Sequence, residues 1–153
     1  MKWKKSDLEK YIPEKEYIDT LMISLIPILF SNDRQLADQA FKSEVLAILT
    51  NELEQELAGR ILLSPPYHYL KSKDLTIDIQ RLNEWIKDAQ MQPFKHVFFI
   101  TYDSSWKRNE RDLKGDSLLW IPSVKTSDVF SDEMNNFIRG QVEQLIELIR
   151  SYW

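Results

Sequence analysis

His68 and His96 are the only histidines of the chain, and His68 is the one with chemical company. It stands in ILLSPPYHYL, residues 61–70, four positions after Ser64 and beside Tyr67. An imidazole titrates near neutrality and suits general acid–base work. Asp103, at the end of KHVFFITYD, offers the carboxylate of a Ser-His-Asp set with Ser64 as nucleophile. Ser64, however, lacks the glycines of the G-x-S-x-G elbow that would expose its hydroxyl beside an oxyanion hole. The plainer reading of Pro65-Pro66 is a stiff exit from a strand. Asp103-Ser104-Ser105 likewise reads as a turn in which the aspartate caps the following amides. His96 leads into an apolar strand and Asp19 opens one, so both read as structural.

Other chemistries find less support. Without cysteine there is no disulfide, no thiolate metal site and no cysteine nucleophile. No His-x-x-His or H-E-x-x-H pair is present. A magnesium site would have to draw on Asp33 and Asp103, which the sequence does not bring together. The 3 glycines, Gly59, Gly115 and Gly140, never fall after a strand and before a helix. Dinucleotide and P-loop sites need glycine there, so neither is expected. No metal and no cofactor is anticipated. The run SSWKRNERDLKG carries Lys107, Arg108, Arg111 and Lys114 beside Trp106. It could grip an acidic group, but its mixed charges suit a solvated loop or short helix.

The elements that must position these groups follow from hydrophobic spacing. SDLEKY resembles a capping box at Ser6 and Glu9, with Pro13 limiting the helix that follows. Thr20 to Phe30 is apolar without alternation, as in a strand covered on both faces. Leu36, Ala40, Phe41, Val45, Ile48, Leu49, Leu53 and Leu57 form a helical stripe, opened by Ser31 or Asn32 and closed by Gly59. RILLSPPY reads as the second strand. Residues 72–93 read as a helix on Leu75, Ile79, Leu82, Ile86 and Ala89, stopped at Pro93. KHVFFITYD and SLLWIP read as the third and fourth strands. A last helix runs from Ser131 to about Tyr152 on Ile138, Val142, Leu145 and Ile149. Gly140 inside it suggests close packing.

Strands alternating with amphipathic helices predict an α/β three-layer sandwich, flavodoxin-like or Rossmann-like. Its sheet would be mainly parallel, with about four strands and helices on both faces. The fourth strand follows a short connection and could run antiparallel at an edge. At 153 residues the chain is expected to be one domain, 1–153. A net charge of -4 argues against a dedicated nucleic-acid partner. LMISLIPILF is too short to span a bilayer, and no signal core follows the basic start. A cytoplasmic location is expected.

Three stretches together look familiar: MKW at the start, EYIDTLMISLIPI at the first strand and ILLSPPYHY at the second. The chain resembles the YpiF-like family of uncharacterised proteins from Bacillus and its relatives, in the same order over its whole length. The resemblance implies a low-GC Gram-positive source and a cytoplasmic location. It brings no activity with it.

Ligands of an open parallel sheet bind outside the carboxyl ends of its strands. Candidate catalytic groups there are His68, Asp103 and Ser64. Candidate ligand-binding groups are Tyr67, Tyr102, Trp106, Arg108 and Asn32, with Tyr102 and Trp106 as stacking walls. The missing catalytic signature favours a non-enzymatic binding or regulatory domain, whose partner is a protein or a small polar ligand. The rival is a small enzyme acting on a sugar, nucleoside or similar polar metabolite. Trp3 and Trp153 at the two termini would suit a homodimer edge. The plainer alternative is that Trp153 closes the last helix stripe onto the sheet.

Overall fold

The computed structural model describes residues 1–71 and 74–153. Its elements are α1 (Lys5–Glu14), β1 (Thr20–Ile28), α2 (Asp33–Glu56), β2 (Ile61–Leu63), β3 (Tyr67–Leu70), α3 (Thr76–Ala89), β4 (His96–Thr101), β5 (Ser117–Trp120) and α4 (Asp132–Tyr152). Ser72 and Lys73, with which the expected second large helix opens, lie outside the described residues.

All strand pairs are parallel, in the order β2-β1-β4-β5, with β3 beside β1 as well. The strand order therefore reverses between β1 and β4. β5 is parallel too, which settles the direction that the sequence left open. Residues 102–116 make that crossover without a full helix, through single 3-10 turns at Ser104–Arg108 and Glu110–Asp112. Trp106 and Leu113 from this connection are buried in the core. The run is thus half anchor and half solvated loop, with Lys107 and Arg108 exposed.

The sheet has a helix layer on each face. Val45, Leu46, Leu49 and Leu53 of α2 join Ile138, Val142, Leu145 and Ile149 of α4 over Met22, Phe98, Ile100 and Leu119. On the other face Tyr11 of α1 and Leu82 and Ile86 of α3 cover Leu21, Ile23, Leu25, Val97 and Phe99. Each large apolar side chain withdrawn this way stabilises by about 1.5–3 kcal/mol. Alternate residues of β1 and β4 feed opposite layers, so both strands carry apolar side chains on both faces.

β2 and β3 are one strand interrupted. Thr20 pairs with Ile61 and Met22 with Leu63, but Leu25 pairs with Tyr67. Ser64, Pro65 and Pro66 therefore oppose only Ile23 and Ser24. The extra residue is a β-bulge, and one residue of slip exchanges the two faces of everything beyond it. Leu62 enters the α3 layer before the bulge; Tyr67 and Tyr69 enter it afterwards. Pro27 sits in the central strand for a related reason. β1 pairs with β4 only as far as Ser24 and Ile100, so beyond that point Pro27 leaves no ladder partner unmet on that side.

Several local expectations shift. α1 begins at Lys5, and Ser6 makes no cap; instead the Asp7 carboxylate accepts the Lys2 amide at 2.8 Å. That bond is the main cause holding Asp7 below the usual carboxylate range. Leu36 and Ala40 are exposed, beside a hollow between the start of α2 and the end of β1. Gly59 has φ +89°, the left-handed value that ends α2. A Cβ on Gly115 would lie 2.6 Å from the Phe99 ring, so this glycine lets the chain into β5. A Cβ on Gly140 would meet nothing within 4 Å, so the close packing expected there is absent.

Candidate functional site

The bulge decides where the candidate catalytic groups go. Tyr69 turns into the α3 layer, so its neighbour His68 turns to the α2 side, where it is exposed. Ser64 lies in the bulge, and its hydroxyl donates to the Pro65 carbonyl at 2.8 Å. Asp103 follows β4 and is buried. Its Oδ2 accepts from the Tyr69 hydroxyl at 2.5 Å and its Oδ1 from the Ser105 amide at 3.0 Å. The Trp106 Nε1–H donates to the Tyr69 hydroxyl at 2.7 Å. His68 and Asp103 are reached from opposite faces of the sheet, and the structure does not assemble the Ser-His-Asp set.

Asp103, Tyr69 and Trp106 form a closed knot that ties the end of β4 to β3. The Thr101 hydroxyl extends it, donating to the Leu25 carbonyl at 2.9 Å. Burial pushes the Tyr69 hydroxyl far above its ordinary value, and the bond to charged Asp103 pushes it the same way. Trp106 is 0 % exposed and meets Tyr69 edge-on at 5.4 Å, so its ring offers no surface to a ligand.

The remaining candidates scatter. Tyr67 is buried and donates to Asp78 at 2.6 Å; burial first, then Asp78, pushes its hydroxyl up to about 12. Asn32 caps α2, accepting the Gln35 amide at 3.1 Å. Arg108 is exposed on its loop. Tyr102 is half-buried and lines a hollow of about 70 Å³ with Phe41, Lys42 and Ile121. Burial, Asp103 and Asp38 raise its hydroxyl above the ordinary range.

The amino edge of the sheet is structural. Arg60 donates to Asp19 at 2.7 and 3.3 Å and lies 3.7 Å from the centre of the Trp153 ring. Burial would raise the Asp19 carboxyl, but the bonds from Arg60 and Thr20 outweigh it and hold it low. Trp153 donates to the Thr20 hydroxyl at 2.9 Å and packs against the α4 layer. His96 sits 3.6 Å from Asp116.

Among the described residues, a groove of about 730 Å³ lies on the α1/α3 face. Leu21, Ile23 and Leu62 of β1 and β2 form its floor. Tyr11 and Phe94, stacked at 6.0 Å, close one end. Trp3, Trp85 and Met91 form the rim, and Trp3 and Met91 are 60 % and 82 % exposed. The polar groups at the mouth are few: Ser64, Asp88 and Gln92, whose Oε1 accepts from the Tyr11 hydroxyl at 3.0 Å. Concave, mostly apolar and sparsely polar is the usual character of a small-molecule site, and the volume is in the usual range. Sequence reasoning missed this groove. Its signals were the aromatic residues of WIKDAQMQPF and the Tyr11 side of α1.

A family described as "Protein of unknown function (DUF2487)" matches residues 9–153. The chain belongs to the DUF2487 family. It is 36 % identical over 142 residues to the uncharacterized protein YpiF of Bacillus subtilis strain 168, covering 93 % of this chain and 87 % of that protein. No solved structure matches. The resemblance carried by EYIDTLMISLIPI and ILLSPPYHY is thereby confirmed. Every groove residue except Trp3 lies in the part matched to DUF2487. Among the described residues, no helix is long and apolar enough to cross a membrane.

Proposed function

We propose that this DUF2487 chain is a single, non-enzymatic binding domain working in the cytoplasm, and that it holds an apolar ligand in the groove between α1 and α3. The observation that carries this reading is the groove itself: a floor of core side chains beneath an exposed rim of Trp3, Trp85 and Met91. Exposed aromatic and thioether surface over a deep apolar floor marks an interaction site. What weighs against the rival, an enzyme for a polar metabolite, is the use already made of its groups. Asp103 is committed to Tyr69 and Ser105, and His68 faces the other side of the sheet.

N-phenyl-1-naphthylamine, a neutral apolar dye that brightens out of water, tests the reading. The wild-type chain should bind it saturably. Ala89→Phe, which puts a ring into the groove, should weaken binding at least about tenfold, a change of ~1.4 kcal/mol. Equal binding by both proteins, or none by the wild type, contradicts the proposal.

A further inference from the structure

Of the 5 tryptophans, Trp106 is enclosed in the core, and Trp120 and Trp153 already carry cations. Lys107 lies 4.3 Å from the Trp120 ring centre and Arg60 3.7 Å from that of Trp153. Trp3 and Trp85 are exposed, and among the described residues no cation lies over either ring. Both stand on the rim of the α1/α3 groove, where Tyr67 packs edge-on against Trp85 at 5.5 Å. Asp88 is the single charged residue of the lining and follows Trp85 by three positions, on the same side of α3. It is exposed, and among the described residues its carboxylate has neither an ion pair nor a hydrogen bond. No lysine or arginine lines the groove. Lys4 and Lys5, next to Trp3 in the chain, are drawn to Asp7 and Glu9 at 3.8 and 2.9 Å. The hydroxyl protons at the mouth are spent within the protein, that of Ser64 on the Pro65 carbonyl and that of Tyr11 on Gln92.

We propose that the ligand of this groove is an amphiphile with a cationic ammonium head, received by the Asp88 carboxylate and the Trp3 and Trp85 rings, with its apolar tail in the groove. The proposal rests on the reading of the groove as an apolar binding site and names the ligand's other end. An aromatic face attracts a cation through its quadrupole, and quaternary ammonium groups are the ligands typically held this way. The unpaired carboxylate supplies the counter-charge, and beside apolar rings its field is screened less than in open water. An anionic head would meet Asp88 and find no charged donor, and that repulsion excludes it. A neutral head would leave the carboxylate unanswered.

Decyltrimethylammonium, decyldimethylamine oxide and decyl sulfate share a tail and carry a cationic, a neutral and an anionic head. Calorimetric titration of the full chain at neutral pH, below their micellar concentrations, should rank their affinities in that order. The cation should bind about three- to tenfold more tightly than the amine oxide, the joint worth of an exposed ion pair and cation–π contacts. Asp88→Asn, at an exposed position, should leave the amine oxide unchanged and narrow that ratio to about twofold, the share of the rings alone. Trp3→Leu should narrow it as well. In Ala89→Phe, which fills the groove, all three should weaken at least about tenfold. If N-phenyl-1-naphthylamine binds while the cation and the amine oxide bind alike, the cationic head is overturned and the groove reading stands. If neither the dye nor any of the three compounds binds, both are overturned. A ratio that survives Asp88→Asn in full, or cation binding that survives Ala89→Phe, would put the cation elsewhere on this acidic chain and equally overturns the proposal.

Discussion

Leu25 pairs with Tyr67, although Met22 pairs with Leu63, so three residues of one strand face two of its neighbour. The single surplus residue, within Ser64-Pro65-Pro66, decides which face each later side chain meets. It sends Tyr67 to Asp78 and Tyr69 to Asp103, and it leaves His68 in solvent. The stretch that most resembles a catalytic loop is a device for setting register.

Removing the surplus residue should therefore exchange the two faces of β3. Deletion of Pro66 would carry Tyr67 and Tyr69 out of the α3 layer and draw His68 in. We expect a loss above ~4 kcal/mol in urea unfolding, the range of a broken buried network. Pro66→Ala keeps the length and should cost no more than ~1 kcal/mol. Equal midpoints for the two variants would show that the bulge does not set the register.

Tyr69→Phe should be expensive for so small a change. It removes the donor to buried Asp103 and the acceptor of the Trp106 indole together. A cost of about 2–4 kcal/mol is expected, since the Asp103 Oδ2 and the Trp106 indole N–H stay buried and lose these bonds. A double-mutant cycle with Asp103→Asn should return a coupling of at least ~1 kcal/mol. Independent effects would mean that the knot is not a unit.

Stability should fall in alkali. The Tyr67 hydroxyl moves from 10.0 to about 12, and that of Tyr69 moves further in the same direction. Above pH 10 the unfolded chain has released protons that the folded chain keeps, so the unfolded state gains. Their contribution is complete below the unfolded value and is lost as pH rises, for Tyr67 between about 10 and 12. Each tyrosine can steepen the loss by up to ~1.4 kcal/mol per pH unit. Denaturant midpoints from pH 8 to 11 should decline, and less steeply in Tyr67→Phe; a flat profile contradicts this.

The glycines should part company. Gly140→Ala has open space and a helical backbone, and should stabilise by ~0.5–1 kcal/mol. Gly115→Ala would drive a methyl group into Phe99 and the Val97 carbonyl, and should destabilise by more than ~1 kcal/mol. Thermal melting distinguishes them by sign.

The layers were legible because β1 and β4 carry apolar side chains on both faces while the helices keep their stripes. The parallel course of β5 was not, since it rests on Trp106 and Leu113 holding an irregular crossover against the sheet. Leu36 and Ala40 extend the α2 stripe in sequence, yet both are exposed, beside a hollow that separates the start of α2 from the end of β1. The turn read at Asp103-Ser104-Ser105 is present, with Asp103 accepting the Ser105 amide. The side-chain partner of Asp103 could not be read, because a slip of one residue at the prolines brings Tyr69 to it rather than His68. The α1/α3 groove stayed hidden because Trp3, Tyr11 and Trp85 come from separate segments that meet only after α1 packs beside α3.

Methyl NMR on the Leu and Ile side chains, during titration with N-phenyl-1-naphthylamine, tests the binding reading most directly. Leu21, Ile23 and Leu62 floor the groove, whereas Ile100, Leu119 and Ile138 belong to the opposite layer. The account predicts saturable shifts in the first three and none in the others. Shifts spread evenly over both layers, or confined to the α2/α4 side, would contradict it.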